Sequence, residues 1–146
     1  MLIDNLMEFF ERDLLKVKAE IGSYEKEADL WMVREGISNS AGNMVLHLVG
    51  NLNHFIGATL GHSGYIRQRD DEFALKNIAR ATVLSMLDDT IVVVNNTLKR
   101  LRAADLEKDF PLEKHGRTVS TLYMLLHLLT HLNYHLGQIN YHRRLV

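Results

Sequence analysis

A chain of 146 residues, 47% hydrophobic and 24% charged, has the make-up of one globular domain and excludes a disordered or fibrous protein. A formal net charge of −1 gives no basic footprint for nucleic acid, and the lack of cysteine removes disulfides, thiolate nucleophiles and cysteine-held metals. Pro111 is the only proline, so long stretches are free to be helical.

The opening Met1-Leu2-Ile3-Asp4-Asn5-Leu6 runs straight into a charged amphipathic pattern, without the basic and apolar regions of a secretory signal. With no cysteine in the chain, a cytoplasmic location is expected. Ile3, Leu6, Phe10, Leu14, Val17 and Ile21 recur at steps of three and four, with Asp4, Glu8, Glu11, Arg12, Lys18 and Glu20 between them. This spacing predicts a first amphipathic helix. Gly22-Ser23 ends it, and residues 23–37 form a long connection with a short helical turn near Trp31.

From Ser38 to Ile66 there is no Asp, Glu, Lys or Arg. A helix without charge on any face is expected to be buried on more than one side. Membrane spanning is the rival explanation for so long a run, but Asn39, Asn43, His47, Asn51, Asn53 and His54 put too much polarity at bilayer depth. Gly61-His62-Ser63-Gly64 breaks the segment, and the polar Arg67-Gln68-Arg69-Asp70-Asp71 follows. Leu84, Leu87, Ile91, Val94, Leu98 and Leu101 then predict a third helix, with Asp70 or Asp71 as its N-cap. Residues 104–117, with Pro111 and Gly116, separate it from a second chargeless run, Thr118 to His142. The order predicts an all-α fold, a single four-helix bundle over residues 1–146 with a long crossover connection.

Eight histidines are present, and their placement is informative. At about 100° per residue, His127, His131 and His135 fall in one sector roughly 80° wide, with Gln138 and His142 near it. Leu122, Leu125, Leu126, Leu129 and Leu136 lie opposite. On the second helix Asn43, His47, Gly50, Asn51 and His54 share a face, with Val45, Val49, Leu52 and Ile56 opposite. Histidines at i and i+4 can both reach one ion, and the run offers this twice, as His127/His131 and His131/His135. His47 or His54 would supply a third ligand from a facing helix. Neutral imidazoles suit zinc, nickel, copper or iron, and clustered imidazoles suit a small ion better than haem.

The run His131-Leu132-Asn133-Tyr134-His135-Leu136-Gly137-Gln138-Ile139 resembles the H-x-x-x-H-x-G-Q-I ending of the DinB superfamily, the YfiT-like metal-dependent bundles. Asn39 to Asn51, centred on His47, resembles that family's second-helix histidine motif, and Gly64 to Phe73 resembles the loop of one of its subgroups. The similarity runs along essentially the whole chain. It implies a bundle, often dimeric, that binds a divalent metal, zinc or nickel first among the candidates, through three histidines. By position these are His47, His131 and His135, which leaves His54 and His127 as packing groups around the site. The chain departs from the family at Leu136, where arginine is frequent.

Members of that family with known activity include thiol-dependent S-transferases. The resemblance therefore implies a transferase or hydrolase in which the metal activates a low-molecular-weight thiol or water, with Arg67 or Arg69 as a weak candidate for attracting an anionic substrate. His54, Tyr134 and Asn51 are candidate pocket-lining groups, and no catalytic acid or base is assigned. The alternative is a non-enzymatic metal-binding or structural bundle acting through protein partners in a stress response. A leucine face on the last helix left over after packing predicts a homodimer.

Overall fold

The computed structural model describes residues 1–146, and the fold is all-helical. Six α-helices occur in chain order: α1 (Leu2–Gly22), α2 (Ala41–Leu52), α3 (Arg69–Ala74), α4 (Arg80–Leu98), α5 (Ala103–Glu107) and α6 (Thr121–Leu145). A 3-10 turn, Glu27–Trp31, sits in the first connection, at the helical turn expected near Trp31. A π-helical stretch, Asn53–Ala58, continues α2. The helix α1 packs against α4 and α6, and α2 packs against the same two and against α3. The result is a helical bundle around one core, and no helix is long and apolar enough to cross a membrane.

Within α1, the predicted seam is the observed one, with Leu6, Phe10, Leu14, Val17 and Ile21 all buried. The α4 seam keeps Leu87, Val94 and Leu98 of the leucine pattern and adds Val83, Thr90 and Thr97, while Leu84 and Ile91 flank it. Two threonines hide this face from a hydrophobicity count. Thr90 is accommodated because its hydroxyl donates to Met86 O at 2.7 Å and accepts from Asn53 Nδ2 at 3.0 Å.

The start of the long helix α4 also differs from expectation. Asp70 and Asp71 do not cap it; they lie in the first turn of the separate short helix α3, and α4 begins after Ala79. The physical reason lies in α2. Asn43 Nδ2 donates to Glu72 O and Leu75 O, both at 2.9 Å, which satisfies carbonyls at the end of α3 and closes that helix there.

The two chargeless segments behave differently. Every residue of α2 is buried. Ser40 caps it, its hydroxyl accepting from Asn43 N at 3.2 Å. By contrast, α6 leaves Tyr123, Leu126, Tyr134 and Tyr141 exposed, so the absence of charge there does not signal cover on every side. Asn133 and Asn140 face α1, where they donate to Asp13 and Glu20, and Arg143 adds an ion pair to Glu20 at 2.6 Å. The leucine face is largely taken up within the chain: Leu125 is fully buried, and Leu122, Leu129 and Leu136 pack at the edge of the core. Leu126 alone of that stripe is exposed.

At the other end of α6, His142 is a satisfied core histidine. Its Nε2–H donates to Met32 O at 2.8 Å, so Nδ1 accepts from the Tyr24 hydroxyl at 2.6 Å. This ties the last turns of α6 to the first connection. Trp31, from the same connection, lies flat on Gly42, where a Cβ would stand 2.6 Å from the ring. Gly42→Ala is therefore expected to destabilise the fold by about 1–3 kcal/mol through overpacking. Urea unfolding with an unchanged midpoint would show that the ring has room to move.

Candidate metal centre

The side chains of His47 on α2 and of His131 and His135 on α6 meet at the seam between these helices. His131 Nε2 lies 3.1 Å from His47 Nε2 and 3.1 Å from His135 Nε2. The ring planes are nearly perpendicular, at 78° for His47/His131 and 87° for His131/His135, so the nitrogens meet edge to edge rather than by stacking.

Protons can be placed from the partners. Glu72 Oε1 lies 3.0 Å from His47 Nδ1, and that carboxylate also receives Arg67 through Nε and Nη2, each at 2.8 Å. With Arg67 donating to both of its oxygens, the carboxylate meets His47 as an acceptor, so His47 carries its proton on Nδ1 and presents a bare Nε2. Arg67 Nη2 also approaches His47 Nδ1 at 3.4 Å, but both are donors; the approach follows from sharing Oε1. His135 Nδ1 donates to Gln138 Oε1 at 2.7 Å, which likewise leaves Nε2 bare. His131 Nδ1 is buried without a partner.

A single proton on His131 Nε2 is all that hydrogen bonding can place among the three converging nitrogens. A divalent cation engages all three lone pairs. Tetrahedral metal–nitrogen bonds of about 2.0–2.1 Å put ligand atoms about 3.3 Å apart, close to the two 3.1 Å separations here. The three histidines could hold a metal ion, and the neutral imidazole such binding requires is the form favoured here. Burial pushes His131 down to about 3, with the neighbouring His135 and His47 adding to the effect. Burial also lowers His47, against the opposing hydrogen bond to Glu72, and lowers His135 against the bond to Gln138.

The family model described as "Protein of unknown function (DUF1572)" matches residues 8–146. The chain belongs to that family. No curated protein and no solved structure gives a match.

Of the sequence-predicted histidines in this DUF1572 chain, the structure brings together His47, His131 and His135 and leaves two others apart. His127 stacks one turn below His131, with ring centroids 6.4 Å apart, and His54 lies in the π-helical stretch against the Phe55 ring. Arg67 corrects the sequence reading. It is not free to attract an anionic substrate, because its Nε and Nη2 are both committed to Glu72. Arg69 stands over the Phe73 ring.

Glu72, 5% exposed, is the residue that sequence reasoning missed. It sits in a stretch read as polar linker and cap. A signal was present in Gly50, one turn beyond His47 on the same face: a Cβ at Gly50 would overlap the Glu72 carboxylate, so this glycine makes room for it. A cleft of about 480 Å³ adjoins the site, with Met44, Tyr134, His135, Gln138 and Tyr141 in its wall. No Asp, Glu, Lys or Arg lines it.

The lowered histidine values have a consequence for stability. In the unfolded chain these imidazoles titrate near 6.5, so between that value and their folded values the unfolded state binds more protons. Metal-free protein is therefore expected to lose stability as pH falls below about 6.5, with the His131 contribution still declining toward about 3. Chemical denaturation at stepped pH checks this. A His131→Gln variant should show a shallower loss over that range, and an identical slope would contradict it.

Proposed function

We propose that this chain is a divalent-metal-binding bundle of the DinB type, a four-helix bundle with a long crossover, in which His47, His131 and His135 hold one ion. The observation that carries the reading is the meeting of three Nε2 atoms, two of them stripped of protons by Glu72 and Gln138. An all-nitrogen set of neutral imidazoles suits a borderline ion such as zinc or nickel. Three protein ligands also match catalytic rather than closed structural sites.

The reaction class we propose is metal-dependent S-transfer or hydrolysis. The ion supplies Lewis acidity that brings a thiol or water into its nucleophilic form near neutral pH. The protein's own residues do the rest. Glu72 and Gln138 fix the orientation of His47 and His135, and the histidine cluster stays neutral at working pH because it is buried. The uncharged cleft beside His135, with Tyr134, Tyr141 and Met44 in its wall, offers a place for the body of a small-molecule substrate. With Arg67 bound to Glu72, an uncharged or weakly charged substrate body fits this cleft better than a strongly anionic one. A homodimer is part of the proposal on the family resemblance alone, since the leucine face is largely covered within the chain. Sedimentation as a clean monomer at micromolar concentration would contradict that part.

Elemental analysis of protein purified without an affinity tag tests the metal. Wild type should carry close to one equivalent, and His131→Ala should carry almost none; equal and negligible metal in both would overturn the reading. The reaction is tested by following a low-molecular-weight thiol against an aryl halide, and an ester against water, with loaded protein. A rate that depends on metal and disappears in His135→Ala is expected in one of the two assays. Rates indistinguishable from metal-free protein in both would leave a non-enzymatic metal-binding bundle.

A further inference from the structure

Glu72 touches none of the converging Nε2 atoms, yet its carboxylate is held from several directions. Arg67 grips both oxygens, with Nε to Oε2 and Nη2 to Oε1 at 2.8 Å each. Its backbone carbonyl is fixed by Asn43 Nδ2 at 2.9 Å, and that amide is braced in turn by the Ser40 hydroxyl at 2.7 Å. Gly50 removes the one side chain that would push the carboxylate away from α2. All of this converges on a single contact to a histidine, Glu72 Oε1 with His47 Nδ1 at 3.0 Å.

We propose that the Arg67–Glu72 pair is a positioning device for His47, fixing its tautomer and ring orientation so that Nε2 is bare and aimed at His131 before any ion arrives. Arg67 donates to both carboxylate oxygens and holds Oε1 toward His47 as a hydrogen-bond acceptor, which places the His47 proton on Nδ1. Without that acceptor His47 is free to place its proton on Nε2, the atom that must be bare. A carboxylate behind a ligating imidazole also raises ligand basicity, and losing such a partner weakens metal affinity by about 10–100-fold. The segment Arg67–Glu72 thereby becomes part of the metal centre although neither residue is a ligand. The affinity consequence rests on the metal reading above; the tautomer consequence does not.

A buried ion pair that merely fastens α3 to α2 would affect folding and leave His47 indifferent. Two measurements separate these roles. In metal-free protein, long-range proton–nitrogen NMR of the imidazole rings should find wild-type His47 as the Nδ1–H tautomer. Glu72→Gln and Gly50→Ala, which neutralise or displace the acceptor, should give mixed tautomers. In the second measurement, cobalt(II) affinity by chelator competition should fall about 10–100-fold in Glu72→Gln, with circular dichroism confirming a folded variant. Wild-type His47 found as the Nε2–H tautomer would overturn the proposal even if neither variant folds. So would a folded Glu72→Gln protein that binds cobalt within about threefold of wild type. If wild type binds no cobalt, the metal reading fails and the tautomer measurement alone decides the role of Glu72.

Discussion

Every residue of α2 is buried, including Asn43, His47 and Asn51, and a buried polar group left without a partner costs about 1–3 kcal/mol. A fully buried helix with a polar stripe must therefore recruit partners from its neighbours, and much of the architecture follows from how it does so. Asn43 takes two carbonyls of the α3 region and so brings that short helix onto α2. Once there, α3 delivers Glu72 to the Nδ1 side of His47. The opposite side of the same ring faces α6 and meets His131. One imidazole thus joins a charged network on one edge to a cluster of neutral nitrogens on the other.

This division of charge gives the centre its chemistry. Glu72 and Arg67 pair with each other and stand behind His47 rather than among the converging nitrogens. Burial keeps the three imidazoles neutral, and their mutual proximity opposes protonation of His131 still further. A cation is favoured where three lone pairs point at one another, and protons compete poorly for the same atoms. His131 Nδ1 and Asn51 Oδ1 are buried without protein partners, as is Trp31 Nε1 away from the site.

The helices and the candidate ligands were legible in the sequence to different degrees. A three-four rhythm of leucines, valines and isoleucines is a direct record of burial, so α1 could be read from residues 3–21. The α4 face was legible only in part, through Leu87, Val94 and Leu98, because Thr90 and Thr97 also occupy core positions. A hydroxyl such as that of Thr90, satisfied on its own helix, leaves no trace in a hydrophobic pattern. Spacing placed His131 and His135 on one face but could not separate them from the equally spaced His127. The motif resemblance singled the pair out, and the crossing of α2 against α6, a tertiary property, is what brings them to His47. Glu72 was invisible for a similar reason. In sequence it is one of several charges in a polar stretch; its burial depends on Asn43, about thirty residues earlier, holding α3 in place. Gly50 was the available clue, a missing side chain beside a histidine on a buried face.

The central claim is that three imidazoles from α2 and α6 bind one divalent ion through Nε2. Anomalous diffraction at a zinc or nickel edge, from crystals of metal-loaded protein, tests it most directly. The account predicts one strong peak per chain, about 2.0–2.1 Å from Nε2 of His47, His131 and His135, with Glu72 still on His47 Nδ1. A peak elsewhere, or none at this seam in protein that retains its fold, would contradict it.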